Sequence, residues 1–287
     1  MPLKTIKKDT ADTLTLEWVL HVQNYRLSLD KNRCAGCQIC GLACPKEAIK
    51  AQKQLTATGE RAQKARIDVD LAKCNFCGIC DVLCPYGAIR VTVDGKHILS
   101  VVEKESFPQL VRDVEVNAAK FPGNPRQGEE ACPLGLITVS DGKVDVSLDH
   151  CPCCRVCEFK LPKGAMKVRK FLDGKMSIHE RECPEGCKIC LDVCPVTDAL
   201  HLSADGKKVQ ANEVFCVYCG ACRLVCPVEE ALELKRTRVS HTPVRSGAWN
   251  KALERLTSSL EMTKELKTKG SLRAAEAVRS RLGLKED

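Results

Sequence analysis

Alternating apolar and polar residues recur in short runs along the chain. Residues 67–71 read Ile-Asp-Val-Asp-Leu, and residues 89–93 read Ile-Arg-Val-Thr-Val. Because neighbouring side chains of a strand point to opposite faces, each run predicts a short strand with one buried face. Asp94 and Gly95 follow the second run, and this pair is typical of a hairpin turn. The pattern therefore predicts short strands joined by tight turns.

A second pattern, with helical spacing, lies near the C-terminus. Its apolar residues fall at i, i+4, i+7 and i+11, namely Trp249, Leu253, Leu256 and Leu260. Gly270 interrupts this stripe, and Ser271 fits the N-cap of a second helix that ends at about Leu282. We expect this helical tail to dock on a partner subunit. Packing on the chain's own domains and binding to a membrane surface are the alternatives.

Six residues, five cysteines and one leucine, each followed directly by proline, divide the chain into six similar units. Aligned on these steps, the units follow one another at about 30–45 residues, a period typical of repeat proteins. The residues before the prolines are Cys44, Cys84, Cys132, Leu161, Cys194 and Cys226. Each unit reads as a short strand, a cysteine loop, one or two helical turns and another strand. The prediction is an α+β fold built from tandem repeats.

Cysteine content indicates what holds these units together. The 287 residues include 21 cysteines, whereas aromatic residues make up 4%. Such a density indicates disulfides or metal sites. Residues 1–8 lack the apolar segment of a secretory signal, and no apolar run approaches the roughly 18 residues of a membrane span. Because the cysteine count is also odd, we expect a cytoplasmic metal-binding protein without a membrane span.

Four groups of cysteines share one spacing, in which a triplet precedes a cysteine–proline step. The groups are Cys34, Cys37, Cys40 and Cys44; Cys74, Cys77, Cys80 and Cys84; Cys183, Cys187, Cys190 and Cys194; and Cys216, Cys219, Cys222 and Cys226. This spacing is that of bacterial iron–sulfur ferredoxins. Zinc is the alternative, although zinc ribbons use separated Cys-x-x-Cys pairs. One extra residue separates Cys183 from Cys187, and Gly186 can absorb it in a turn with positive φ.

Units 1–2 and units 5–6 resemble two-cluster bacterial ferredoxins, and residues 25–235 together resemble a polyferredoxin. The tandem architecture and the basic helical tail, which reads Thr-Pro-Val-Arg-Ser-Gly-Ala-Trp at 242–249, are similar to the polyferredoxin subunit of archaeal formylmethanofuran dehydrogenase. That enzyme reduces CO2 in methanogens. The resemblance implies three tandem bacterial-ferredoxin-like domains with about five [4Fe-4S] clusters. It also implies an electron-transfer subunit rather than an enzyme.

In such proteins the fourth cysteine of one unit binds the cluster of the other unit. This exchange predicts four iron sites, which we call sites A, B, D and E. Site A takes Cys34, Cys37, Cys40 and Cys84, and site B takes Cys74, Cys77, Cys80 and Cys44. Site D takes Cys183, Cys187, Cys190 and Cys226, and site E takes Cys216, Cys219, Cys222 and Cys194.

The middle units keep the ligands of one further site, site C. Its predicted ligands are Cys151, Cys154, Cys157 and Cys132. The second site that the middle units would form lacks its cysteine triplet, and Leu161 replaces the fourth ligand of that site. We expect Leu161 to fill apolar space there. We expect site C to be a relay between two double-cluster domains. A middle domain without metal, a three-iron cluster and zinc are the alternatives. Cys153 lies outside the scheme, as a small thiol or as an occasional substitute for Cys151 or Cys154.

Domain boundaries follow from the units. We expect an N-terminal extension, a two-cluster domain, a one-cluster domain, a second two-cluster domain and the partner-docking tail, at residues 1–24, 25–97, 98–175, 176–238 and 239–287. Residues 97–131 replace the lost loop of unit 3 and are expected to cover the lost site, or else to bind a partner. Within them, 109–116 suggests a strand or short helix and 121–128 a loop. Residues 51–66 suggest an exposed hairpin or loop.

Charge and the remaining polar residues narrow the function. The formal net charge of +8 counts every cysteine as neutral, whereas five oxidised clusters with their thiolates would contribute about −10. The basic residues are therefore interpreted as compensation for cluster charge, not as a nucleic-acid surface. The histidines form no catalytic constellation, and no phosphate loop or dinucleotide fingerprint is present. Substrate chemistry is therefore assigned to other subunits.

The sequence thus predicts a conduit for single electrons at low potential. Its expected partners are protein subunits of a larger redox complex, with a soluble ferredoxin or another carrier as electron donor or acceptor. A formylmethanofuran dehydrogenase core is the expected destination. The alternatives are a hydrogenase or heterodisulfide reductase assembly and, in another class, a nucleic-acid-binding protein with structural clusters.

Overall fold

The computed structural model describes residues 2–54 and 61–257. Within these ranges one strand arrangement recurs three times, with an outer antiparallel pair and an inner hairpin. The cysteine loops and short helices lie between these strands. None of the helices in the described ranges has the length and apolar character needed to cross a bilayer.

The first copy carries a short helix at the third cysteine of each triplet. Its elements are β1 (Lys4–Asp9), β2 (Thr13–Val19), β3 (Asn24–Asp30), α1 (Ile39–Ala43), β4 (Ile49–Gln52), β5 (Arg66–Val69), α2 (Ile79–Val82) and β6 (Ile89–Val93). Strand β3 pairs with β6, and β4 pairs with β5 in the predicted hairpin. Ile67 and Val69 are buried on one face of β5, as the alternating pattern predicts.

Residues before the first repeat extend this sheet, whose strand order is β1-β2-β3-β6. Leu14 and Leu16 of β2 are buried with Leu27 and Leu29 of β3 in one apolar cluster. The expected separate extension at 1–24 is therefore wrong for the described residues 2–24. They form a hairpin that completes the core of the first domain.

The second copy occupies the middle of the chain. Its elements are α3 (Ser100–Glu103), β7 (Asp113–Val116), α4 (Pro125–Glu130), β8 (Ile137–Ser140), β9 (Lys143–Val146), α5 (Val156–Lys160) and β10 (Met166–Arg169). Strand β7 pairs with β10, and β8 pairs with β9. The predicted loop at 121–128 is wrong from Pro125 onward. Asn124 caps α4 by accepting a 3.1 Å hydrogen bond from the Arg126 amide, and proline suits the first helical turn.

The third copy repeats the pattern in the last part of the chain. Its elements are β11 (Leu172–Ile178), α6 (Ile189–Val193), β12 (Leu200–Leu202), β13 (Val209–Ala211), α7 (Ala221–Val225) and β14 (Leu232–Val239). Strand β11 pairs with β14 along its length, with Leu172 opposite Val239. The expected boundary between residues 175 and 176 falls inside β11. Because strand pairing assigns all of β11 to the last domain, that domain begins at Leu172.

The tail helix α8 (Gly247–Thr257) packs on the chain itself. Trp249 is 2% exposed, and its ring meets the Phe107 ring edge-on at 5.2 Å between centroids. Its indole N–H donates a 3.2 Å hydrogen bond to Nε2 of His241. Ile39 of α1 is buried in the same apolar cluster. For residues 239–257 the structure shows the alternative, packing on the chain's own domains, because this contact covers the described part of the apolar stripe. Leu260 and the predicted second helix lie outside the described residues.

Candidate iron-sulfur sites

Left-handed backbone positions shape four of the cysteine triplets. The residue two after the first cysteine has positive φ in each: Gly36, Phe76, Cys153 and Tyr218. The residue after the second cysteine does the same: Gln38, Gly78, Arg155 and Gly220. These turns aim backbone amides at sulfur, since Gly36 N–H donates to Cys34 Sγ and Tyr218 N–H to Cys216 Sγ, both at 3.4 Å. Hydrogen bonds from backbone amides to ligand sulfurs set part of the reduction potential of a bound cluster.

The triplet of site D departs from this geometry. Gly186 has φ of +72°, in the turn that the extra residue before Cys187 was expected to require. Lys188, which follows Cys187, has φ of −120° instead of a positive value. The amide of Gly186 donates to the Lys207 carbonyl at 2.9 Å, so the turn is fixed to the neighbouring hairpin.

In the first domain the thiols of each triplet feel the charge of the fourth cysteine of the other unit. Burial raises the pKa of Cys34, Cys37 and Cys40, and the charge of Cys84 adds to the effect at each one. Burial likewise raises the pKa of Cys74, Cys77 and Cys80, where the charge of Cys44 adds to it. Each fourth cysteine therefore lies with the triplet of the other unit. The structure brings together the residues predicted for sites A and B.

The thiols of the last domain are grouped in the same way. Burial raises the pKa of Cys226, and the charges of Cys187 and Cys183 add to it. Burial raises the pKa of Cys194 to about 12, with added effects from Cys219 and Cys216. Each of these cysteines thus lies with the triplet that the exchange rule assigns to it.

Site C gathers the isolated cysteine and the incomplete triplet. Burial raises the pKa of Cys154 to about 11 and that of Cys157 to about 12, and the charges of Cys151 and Cys132 add to both. The amide of Leu136 donates to Cys132 Sγ at 3.4 Å. Cys44 and Cys84 receive the matching bonds from residues four positions later, at 3.4 and 3.2 Å. Cys132 therefore has the backbone setting of a fourth ligand.

Cys153 supports a neighbour within this loop. It is fully buried at 0% exposure. Its thiol donates to the Cys151 carbonyl oxygen at 4.0 Å, and hydrogen bonding from the Cys153 side chain and amide lowers the pKa of Cys151 to about 7. The nearby Arg112 charge lowers the pKa of Cys151 further.

Leu161 occupies the place of the missing fourth ligand. It is 6% exposed and lies in an apolar cluster with Ala131, Ile137 and Met166. Gly164, three residues after it, has φ of +82°, close to the +56° of Gly87 three residues after Cys84. The backbone turn is thus kept, while side chains fill the space.

Sites on different domains lie next to one another. Burial raises the pKa of Cys37 in site A, and the largest further cause is the charge of Cys219 in site E. Cys154 of site C packs in one apolar cluster with Val196 and Val217 of the last domain. Site C thus lies against the last domain, as expected of a relay, but Cys219 of site E also packs against the core of the first domain, so the order is not strictly linear. Sites A and E meet directly because the first and last domains pack together.

Basic residues outside the cysteine motifs bind carbonyls of the ligand residues. Lys53 donates to the Cys226 carbonyl at 2.7 Å, and Arg236 donates to the Cys219 carbonyl at 2.6 Å. Arg112 donates to the Cys84 carbonyl at 2.8 Å. Sequence reasoning missed these residues individually, and only the excess of basic residues hinted at them. They place positive charge beside sites that would carry negative charge.

The donor sets fit iron–sulfur clusters. Each site offers four thiols, which are the soft ligands of such clusters, and amide N–H groups face several of the sulfurs. No three His, Cys, Asp or Glu side chains in residues 2–54 and 61–257 are placed to hold one metal ion. A four-iron cluster is instead held at its corners by separate sulfurs.

Comparison with known proteins agrees with this chemistry. A family model described as a 4Fe-4S dicluster domain matches residues 33–88, and a second model with the same description matches residues 175–227. The chain therefore contains two 4Fe-4S dicluster ferredoxin domains. The prediction of such domains in the first and last parts of the chain is confirmed.

Two relatives extend the comparison. An iron-sulfur protein of Rhodospirillum rubrum is 28% identical over 110 residues, which span 36% of this chain and 58% of that protein. A chain of the formate dehydrogenase–heterodisulfide reductase–formylmethanofuran dehydrogenase complex from Methanospirillum hungatei is 28% identical, with a TM-score of 0.78. The structural match covers 90% of this chain and 92% of that one. These likenesses support an iron–sulfur electron-transfer role within an oxidoreductase complex.

Proposed function

We propose that this chain is an electron-transfer subunit that holds five [4Fe-4S] clusters, at sites A to E, in three ferredoxin-like domains. The observation that carries the proposal is the grouping of its thiols into five sets of four. In each set a cysteine–proline step completes the triplet of a neighbouring unit, as at Cys132 and Cys157. Bound clusters would supply single-electron carriers, while the chain holds them and shields them from water.

Contacts between the domains support a conducting role. Cys37 and Cys219 belong to different domains, yet the charge of Cys219 adds to the effect of burial in raising the pKa of Cys37. Arg112 joins Cys151 of site C to Cys84 of site A. Sites A, C and E therefore converge, an arrangement suited to exchange of electrons among all three domains.

The partner is proposed from the structural likeness. We infer that the chain delivers low-potential electrons to a formylmethanofuran dehydrogenase core in the cytoplasm, where thiols stay reduced. The matched chain comes from a complex whose description names that enzyme, and the match runs along nearly the whole chain. Heterodisulfide reductase is the second candidate, because the same description names it.

Anaerobic preparation of the protein from its native cells tests this function. We expect a broad visible absorbance that dithionite bleaches and air or a mild oxidant restores, and co-purification with the catalytic subunits of formylmethanofuran dehydrogenase. Co-purification with heterodisulfide reductase alone would favour the second candidate. Loaded protein that does not reduce reversibly, but binds DNA with a steep salt dependence, would refute the electron-transfer role.

A further inference from the structure

The hydroxyl of Tyr86 is a buried polar group at the contact between two domains. Tyr86 is 4% exposed, and its hydroxyl oxygen has no partner of regular hydrogen-bond geometry among the residues that the structure describes. Buried hydroxyls are normally hydrogen-bonded, because leaving one without a partner costs free energy. This side chain belongs to no cysteine motif, yet it follows the fourth ligand of site A by only two residues.

The surroundings of this hydroxyl are sulfur atoms of two sites. Tyr86 packs in one apolar cluster with Cys37 and Cys219, and it lines a small cavity together with Cys194 and Cys219. Cys37 belongs to site A, whereas Cys194 and Cys219 belong to site E. Cys219 takes part in both contacts, and hydrogen bonding to its side chain adds to the effect of burial in raising the pKa of Tyr86.

The chemical state of Cys219 decides how well it accepts. A thiol sulfur is a weak acceptor, whereas an ionised acceptor forms a shorter and stronger bond. Iron–sulfur clusters are held by thiolates. As an iron ligand, Cys219 would be a thiolate. Its sulfur would then be a strong hydrogen-bond acceptor for the buried Tyr86 hydroxyl.

We propose that Tyr86 is a positioning residue of the last domain's site E, supplied by the first domain, and that its hydroxyl donates to the Cys219 thiolate. The proposal rests on the function proposed above. A hydrogen bond to a ligand sulfur stabilises the more negative, reduced state, so it raises the reduction potential of that site. Docking of the first domain thus sets the potential of the last.

A redox titration followed by EPR on the anaerobic, fully loaded chain tests this role in the Tyr86→Phe variant. We expect one couple to move to lower potential, with a fall in its reduction equilibrium constant of up to about tenfold, which is about 59 mV for one electron. Tyr25→Phe is the control. Tyr25 lies outside every cysteine motif and its hydroxyl donates to Gln23 Oε1 at 2.9 Å, so its loss is expected to leave that couple unchanged.

A second measurement keeps the fold intact. Incorporation of 3-fluorotyrosine into a chain that carries Tyr25→Phe and Tyr218→Phe places the modified ring at position 86 alone. The fluorinated phenol is a stronger hydrogen-bond donor than tyrosine, so the reduction potential of the same couple should rise. The proposal is overturned if neither the Tyr86→Phe change nor the fluorotyrosine change moves the potential of a couple, or if Tyr25→Phe moves it equally. Unmodified protein that binds no reducible clusters would instead refute the proposed function.

Discussion

Arg112 Nε donates a 3.0 Å hydrogen bond to the carbonyl oxygen of Cys151. The same guanidinium donates to the Cys84 carbonyl at 2.8 Å and lies over the Phe171 ring at 5.4 Å from its centroid. One cation outside every cysteine motif therefore joins site C to site A. Arginine suits this place because its planar, permanently charged fork can bind two acceptors and stack on an aromatic ring at once.

Replacement of Arg112 by Met should lower the potentials of two couples. The change removes a positive charge beside sites A and C and leaves two carbonyls without their donor. We expect a loss of about 1–3 kcal/mol in the free energy of unfolding and a downward shift of both couples in an EPR-monitored titration. Arg126→Met is the control, because Arg126 is exposed on α4. Unchanged potentials in the Arg112 variant would show that the guanidinium is only structural.

The tail helix should depend on Trp249. Truncating a buried tryptophan costs about 3–5 kcal/mol, and here the loss falls on one terminal element. Trp249→Ala should therefore speed proteolysis and amide exchange within α8, while the iron content stays that of the unaltered chain. Lys251→Ala, on the exposed face of the same helix, should change neither rate. Equal protection of α8 in both variants would contradict the packing described for the tail.

Leu161 should stabilise the middle domain as a core residue. Leu161→Ala is expected to lower the stability of this domain by about 2–5 kcal/mol, because it opens a cavity in an apolar cluster. Leu148→Ala is a matched control, since Leu148 is 40% exposed. Thermal melts followed by loss of visible absorbance measure the effect. A Leu161→Ala melt that equals the control would mean that no packed core replaced the lost site.

Lys53 should tune site D from the first domain. Lys53→Met removes the donor to the Cys226 carbonyl and a charge that lowers the pKa of Cys226 against the larger effect of burial. The reduction potential of site D should therefore fall. Because Lys53 is exposed, this change should correspond to less than about 1 kcal/mol and should become smaller in high salt. Lys50→Met, exposed on β4 three residues earlier, should leave the potential of every couple unchanged. A shift that salt does not reduce would argue against a direct charge effect.

Local sequence was enough to predict the repeats and the composition of each cysteine group. The spacing of Cys34, Cys37 and Cys40 dictates a loop, and the exchanged fourth ligand follows from the fold of two such units. The pairing of Cys132 with the distant triplet also followed from counting ligands. The alternating pattern at 67–71 predicted β5, because burial of one strand face is a local property.

Packing between domains could not be predicted from local sequence patterns. The proximity of Cys37 and Cys219 depends on how two separate domains dock, and the repeat pattern of the sequence does not predict that docking. The apolar stripe of Trp249 predicted that a surface would be covered but not which surface. Asn124 and Pro125 carried a helix-start signal that the surrounding glycines and prolines concealed. Tyr86 and Arg112 gained their roles only through residues far away in sequence.

An iron and sulfide count on anaerobically purified protein, in parallel with its Cys132→Ala and Cys153→Ala variants, tests the five-cluster account most directly. Five four-iron clusters require about 20 iron and about 20 sulfide per chain. Cys132→Ala should lose about four of each and one reducible couple, or convert that site to a three-iron form with its own EPR signal. Cys153→Ala should keep all five clusters. A count of about 16 that Cys132→Ala does not change would contradict the account, because site C would then hold no cluster.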